Sequence, residues 1–271
     1  MPELPEVQTV TDFIRPYLIN HKILSIQHLN NFTAVFATHT QSSLNRIVSL
    51  QLIKRVWRRG KFIVIDLNAG HLLIHLRMTG RILPKILKKD NPNHFTAQIN
   101  LTNDTKIFFK DYRKFGRFYY YQSMDPIEAK LGLEPLSNSF SSKFLINLLK
   151  SKKRMIKPLL MDQACIAGLG NIYVDETLWL AKINPEQLCF KIGIKKITNL
   201  HSSIQSVLKS AIKNHGTTII NFTYGEKSTG NYKEKLNVFG RTEQPCMRCQ
   251  RKIKKIYVSQ RGTHFCPRCQ R

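Results

Sequence analysis

Acidic residues are what this chain lacks. Against 43 Lys and Arg it carries only 17 Asp and Glu, a formal charge of +26 over 271 residues. An imbalance of that size points to a polyanionic partner, nucleic acid first and an acidic membrane surface second. The basic residues are spread along the whole chain and interleaved with aromatics. That excludes a charged disordered tail as their explanation and fits a folded, basic groove. Also missing is any stretch near the ~20 consecutive apolar residues of a membrane span. No charged leader followed by an apolar run suggests secretion, so a cytoplasmic location and no membrane are expected. Internal repeats and low-complexity tracts are absent as well. Cysteine is sparse, six in all.

What is present is enough to fold. Apolar residues make up 42% of the chain, and its length suits one large or two ordinary domains. Four of the cysteines form two pairs, Cys246-x-x-Cys249 and, after sixteen residues, Cys266-x-x-Cys269. In a reducing compartment this spacing favours metal over disulfides. Two such knuckles offer four thiolates to one tetrahedral Zn²⁺, which leaves no open position, so the ion is structural. The stretch between them, Lys252 to Val258 and then Arg261-Gly262-Thr263, reads as a basic β-hairpin. Cys165 and Cys189 read as buried free thiols.

At the other end, Met1 precedes the small residue Pro2, so removal of Met1 is expected. Pro2 would then carry a free secondary amine. An α-amino group titrates at roughly 7.7–8.0, so a useful fraction is nucleophilic at neutral pH. Attack on a sugar or carbonyl carbon would give an iminium, with Glu3 placed to act as acid or base.

Val7, Val10, Ile14 and Leu18 recur at helical spacing, and Pro16 is expected to kink or end that helix near Arg15. Short strand-like runs follow at 23–29, 47–57, 62–67, 72–76, 95–101, 106–109 and 117–121, separated by turn residues. Many short strands in sequence suggest an antiparallel sandwich or barrel. Residues 125–138, with Pro126, Gly132 and Pro135, read as a linker. Helical periods then appear at 144–149, 156–161, 171–180 and 197–212. The glycine-rich stretch 216–230 reads as a long functional loop.

Several motifs admit two readings. Arg58-Arg59-Gly60-Lys61, at a strand turn, is a phosphate contact or a solvated edge. Gly168-Leu169-Gly170-Asn171, before a helix, presents N–H groups to a phosphate or is only a tight interhelical turn. In His75-Leu76-Arg77-Met78 and Asp111-Tyr112-Arg113-Lys114-Phe115-Gly116, Met78 and Phe115 are base-stack wedges or core residues.

Taken together, Pro2-Glu3-Leu4-Pro5-Glu6-Val7, these four motifs, Ile172-Tyr173 and the ribbon Arg261-Gly262-Thr263-His264-Phe265-Cys266 resemble the formamidopyrimidine-DNA glycosylases, the bacterial 8-oxoguanine glycosylase/lyase family. The match is collinear from Pro2 to Arg271. The resemblance implies an α+β fold. Its parts would be an N-terminal antiparallel β-sandwich with a leading helix (1–124), a hinge linker (125–140), a helix–two-turn–helix domain with a lesion-capping loop (141–235) and a zinc hairpin (236–271), with DNA in the cleft between.

It also implies roles. Pro2 would attack C1′ of the damaged nucleotide, Glu3 would serve as acid/base, and Glu6 would support the site. Lys61, His75, Asn171 and Arg261 would grip phosphates, Lys61 and Arg261 as part of the catalytic set. Met78, Arg113 and Phe115 would fill the gap left by the flipped base, with Arg113 donating to the orphaned cytosine. Lys157 matches a family lysine near the lesion. The implied partner is duplex DNA carrying an oxidised purine or an abasic site, bound by a monomer.

The chain departs from the family at two places. The capping loop reads Thr217-Thr218-Ile219-Ile220-Asn221-Phe222, and Ile220 stands where the family often has a hydrogen-bonding arginine. Gln8 stands where the family usually has Glu. Two rivals are the endonuclease VIII-type glycosylases, which Leu4-Pro5 and the Met78/Arg113/Phe115 set oppose, and a non-catalytic zinc-ribbon DNA binder, which does not account for Pro2-Glu3.

Overall fold

The structure, a computed structural model, describes residues 1–88, 90–218 and 229–271. Backbone contacts divide the chain into two compact units, Met1–Ala129 with His215–Asn231, and Lys130–Asn214 with Tyr232–Arg271. The segment that leads into the expected capping loop therefore belongs with the N-terminal residues.

The first unit opens with α1, Leu4–Leu18. Leu4, Val7, Val10, Ile14 and Leu18 lie along one face and are all buried. Of the two effects expected of Pro16, a kink or an end near Arg15, the end does not occur: the helix runs on to Leu18, with Pro16 in its last turn. There it forfeits one backbone hydrogen bond, while fully buried Leu18 still gains from staying helical.

After β1 (Ile23–His28) comes a helix the periodicity did not reveal, α2, Gln41–Val48. Its start is capped by Thr40, whose side chain accepts the Ser43 N–H at 3.3 Å. The expected strand at 47–57 is thus corrected. Its first residues end α2, Leu50 turns with φ +60°, and the strand proper, β2, covers only Arg55–Arg59. The apolar run 47–56 spans a helix end and a turn that share one core, so hydrophobicity alone could not separate them.

The remaining strands are β3 (Phe62–Asp66), β4 (His71–His75), β5 (Arg81–Leu83), β6 (Phe95–Leu101), β7 (Lys106–Lys110) and β8 (Arg117–Tyr121). They form two four-stranded antiparallel sheets, in the orders β1-β6-β7-β5 and β2-β3-β4-β8. Alternate residues of both sheets, such as Ile26, Ile99 and Phe109 against Ile63, Ile74 and Phe118, enclose one core with α1. Phe109 and Phe118 meet edge to face, centroids 5.2 Å apart.

Residues 125–138 are not the plain linker expected. They begin with α3 (Asp125–Glu128), and further on the Gly132 N–H donates to the Gln163 carbonyl at 2.8 Å. The second unit holds α4 (Ser142–Lys150), α5 (Ile156–Met161), α6 (Asn171–Leu180) and α7 (Ile194–Lys213). Gln163 builds the turn before α6. Its amide accepts the Gly168 N–H at 2.8 Å and donates to the Leu169 carbonyl at 2.8 Å. The chain closes with the hairpin β9 (Lys254–Val258) and β10 (Arg261–Phe265), paired from Val258↔Arg261 to Lys254↔Phe265. Among the described residues no helix is long and apolar enough to cross a membrane.

Candidate active site and nucleic-acid interface

In the first unit the leader is held by a carboxylate. Glu6 Oε2 accepts the Glu3 N–H at 2.8 Å, the return half of a capping box. Glu6 Oε1 accepts the Thr217 N–H at 2.7 Å. One buried side chain thus fixes both the peptide that follows Pro2 and the root of the 216–230 stretch. Gly216 makes the approach feasible. It sits at φ +78°, and a Cβ there would fall 2.6 Å from Glu6 Oε1. Thr217 pairs with Asn231, and the Thr218 hydroxyl accepts the Gly230 N–H at 2.8 Å, which joins the two roots. Ile219, Ile220, Asn221 and Phe222 lie outside the described residues.

Pro2, Glu3 and Lys61 are all buried, and the cation cluster at the β2–β3 turn proves not to be a solvated edge. Arg59 makes a two-pronged pair with Glu128 of α3, at 2.9 and 2.7 Å. Arg58 Nε donates to Gln8 Oε1 at 3.0 Å, and Gln8 in turn donates to Asp12 at 3.0 Å. Gln8 therefore supplies an acceptor for Arg58 without carrying charge.

His75 ends β4, buried edge-on against Phe62 with ring centroids 4.8 Å apart. Burial, then the charges of Arg77 and Lys61, push its pKa down to about 3. The ring is neutral, and its Nδ1 accepts the Arg77 N–H at 3.0 Å. Its proton is then left on Nε2, where it can be donated to an anion.

Met78, Arg113 and Phe115 are all exposed, and Arg113 touches the other two. The Arg113 guanidinium reaches the Met78 sulfur at 3.1 Å and lies 4.8 Å from the centre of the Phe115 ring. Of the two readings the motifs allowed, core packing is excluded.

The second unit holds the other expected residues. Lys157 is wholly buried. Its Nζ lies 2.7 Å from Asp175 Oδ1 and 3.2 Å from the Gly262 carbonyl. Asn171, at the start of α6, donates to that same carbonyl at 2.9 Å. Asp175 Oδ2 accepts the His264 N–H at 2.8 Å. Three side chains of α5 and α6 thereby pin β10, on which Arg261 stands exposed. Next to them, buried Glu176 accepts the N–H groups of Asn237, Val238 and Phe239 at 2.8–3.0 Å. Desolvation raises its pKa, and these donors oppose the rise. Sequence reasoning passed over Asp175 and Glu176. Their signal was two adjacent acids inside a largely apolar helix.

The four cysteines meet as the spacing requires. Their sulfurs lie within 4.8 Å of one another, with Cys246–Cys269 at 4.0 Å and Cys249–Cys266 at 3.5 Å. Zn–S bonds of about 2.3 Å put tetrahedral sulfurs about 3.8 Å apart, so the donor set fits one zinc ion. The Trp179 indole N–H donates to Cys246 Sγ at 3.5 Å, and Trp179, Val238 and Ile253 pack beneath the knuckles.

Comparison with known proteins agrees with this architecture. Profiles described as the formamidopyrimidine-DNA glycosylase N-terminal domain, its H2TH domain, and a zinc finger found in FPG and IleRS match residues 1–118, 131–223 and 243–271. That combination defines a zinc-finger DNA glycosylase of the helix–two-turn–helix class. The formamidopyrimidine-DNA glycosylase of Pelotomaculum thermopropionicum is 39% identical, over 100% of this chain and 99% of its own. A Lactococcus lactis FPG mutant solved with Fapy-dG-containing DNA is 35% identical with TM-score 0.90, and MutM solved with carbocyclic 8-oxo-G-containing DNA is 36% identical with TM-score 0.90. Both matches cover 100% of each chain. The chain belongs to the formamidopyrimidine-DNA glycosylase family.

Proposed function

We propose that this protein is a bifunctional DNA glycosylase and abasic-site lyase of base excision repair. It acts in the bacterial cytoplasm on duplexes containing 8-oxoguanine or formamidopyrimidines. The observation that carries the reading is the end-to-end likeness to relatives solved with 8-oxo-G and Fapy-dG DNA. The chemistry of the leader supports it. With Met1 removed, the Pro2 nitrogen attacks C1′, the base leaves with a proton, and the opened sugar is held as an iminium. Glu3 is the acid/base for these transfers. The iminium acidifies the C2′ hydrogen, so loss of that proton expels the 3′ phosphate, and a second elimination expels the 5′ phosphate.

The other roles are those the family resemblance implies, and the surroundings of the side chains support them. Lys61 and neutral His75 face phosphates from the first unit, and Asn171 and Arg261 from the second. Met78, Arg113 and Phe115 occupy the space of the extruded base. Lys157 supports the site by holding the strand that carries Arg261. Glu6 supports it by holding Glu3 and Thr217. Residues 217–222 form the lesion-capping loop. One zinc ion on Cys246, Cys249, Cys266 and Cys269 holds the hairpin to the duplex.

Oligonucleotides carrying 8-oxoguanine, a formamidopyrimidine, thymine glycol or no lesion, incubated with borohydride, test the reading. Cleavage at the two purine lesions with a reduced adduct mapped to residue 2 is expected. Preference for thymine glycol would move the protein to the pyrimidine-specific branch. An adduct on Lys61, or normal trapping with Met1 retained, would overturn the nucleophile.

A further inference from the structure

Asp111 is a fully buried carboxylate between the two loops that carry Met78, Arg113 and Phe115. Its Oδ2 accepts the Gly116 N–H at 2.6 Å, and its Oδ1 accepts the Arg113 N–H at 3.2 Å. The Thr79 hydroxyl, in the β4–β5 loop, donates to Oδ1 and accepts the Arg113 N–H at 3.3 Å. One carboxylate and one hydroxyl therefore join the loop after Met78 to both flanks of the 112–116 loop.

The backbone is shaped for this closure. A Cβ on Gly116 would stand 2.3 Å from Phe109 Cζ and 3.1 Å from Asp111 Oδ2. A Cβ on Gly80 would stand 2.7 Å from the same Phe109 carbon. Both loops thus close on the edge of a single core ring, which only glycine allows at these two points. Lys114 takes φ +57°, a further mark of a tightly turned loop. Asp111 is anchored in turn, since its own N–H donates to the His94 carbonyl at 2.7 Å.

We propose that Asp111 and Thr79 are positioning residues for base extrusion. They hold Met78, Arg113 and Phe115 pre-assembled above the core, so that the wedge enters the base stack as one rigid body. The physical reason is entropic. Three exposed side chains on two mobile loops would each lose freedom on insertion, whereas loops already tied pay little of that cost when DNA arrives. Neither residue touches DNA in this account. The inference rests on reading Met78, Arg113 and Phe115 as the wedge.

The test compares Asp111→Asn, Thr79→Val, Thr79→Ser and Met78→Ala. An Asn at 111 keeps the volume but has one acceptor oxygen, so an amide N–H₂ must face a donor on one side. Two readouts are taken: cleavage of 8-oxoguanine in duplex against β-elimination at a pre-formed abasic site, and the rate of lesion extrusion followed by 2-aminopurine fluorescence beside the lesion. Asp111→Asn and Thr79→Val should slow extrusion and lesion cleavage about tenfold, the scale of a lost buried hydrogen bond, with abasic-site cleavage changed less than twofold. Thr79→Ser should restore the rate. Slowing by Met78→Ala alone, with Asp111→Asn and Thr79→Val at the unaltered rate, would overturn the positioning role while leaving the wedge. Normal extrusion in Met78→Ala would remove the wedge itself. If Asp111→Asn does not fold, the Thr79 pair carries the same decision.

Discussion

At the scale of single residues, chemistry was legible and buried polarity was not. The four cysteines could be picked by their spacing, whereas Pro2 and the exposed Met78/Arg113/Phe115 group stood out only when their motifs were matched together to one family. The carboxylates that hold them, Glu6, Asp111, Asp175 and Glu176, could not be assigned partners, because a buried acid draws its donors from distant backbone. His75 shows what the surroundings add. Its folded pKa of about 3 lies below the ordinary 6.5, so only the unfolded chain takes up a proton between those values. Stability contributed by the neutral ring is fully present above pH 6.5 and is lost as the pH falls toward 3, by at most about 1.4 kcal/mol per pH unit. A His75→Gln protein has no such proton to take up. Its urea-unfolding free energy should fall less steeply than the parent's between pH 6.5 and 4. Parallel curves would show that burial of His75 does not set the acid sensitivity.

At the scale of elements, the strands of the sandwich and the helices of the second unit followed from period and turn residues, because each buries one face. Three of the described elements escaped, one of them the four-residue α3 inside the expected linker. In α2 only Leu44 and Val48 are buried, too few positions for a visible period. β5 is three residues long, paired with β7 at Arg81↔Lys110. The hairpin of β9 and β10 was legible through its cysteines, yet what fixes it is not the spacing alone. A two-stranded hairpin is marginal by itself. This one adds a small core of Trp179, Val238, Cys246, Ile253 and Cys266, the anchors from Asp175 and Glu176, and a four-thiolate metal site. Cys249→Ser should lose its zinc, measured by atomic absorption, and bind damaged and undamaged duplex more weakly to the same degree. Full DNA affinity in protein shown to be zinc-free would sink the structural role of the metal.

At the scale of the whole molecule, the surplus of 26 positive charges has two components that composition cannot separate. Some cations are tied within the fold. Arg59 is paired with Glu128, Lys157 with Asp175 and Lys110 with Asp90, each at 2.7 Å. Others stand exposed, and Arg261 is one of them whose backbone is held, on a strand pinned through Gly262 and His264. A pinned cation can meet a phosphate without ordering its own chain, whereas a cation on a loose surface only adds to the field. The salt dependence of affinity distinguishes the two. Each phosphate neutralised in duplex DNA contributes about 0.9 to the slope of log affinity against log salt. Arg261→Ala should therefore lower that slope by about 0.9 and weaken binding to damaged and undamaged duplex alike, because a phosphate carries no sequence. Lys252 is the control. It lies just before the same hairpin, exposed and 3.1 Å from Glu243, so Lys252→Ala removes the same charge from a place where it is already opposed. A smaller change of slope is expected there. Equal slopes for the two variants would mean that the hairpin acts through its summed charge, and that the anchoring of β10 by Lys157, Asn171 and Asp175 serves the fold of the ribbon alone.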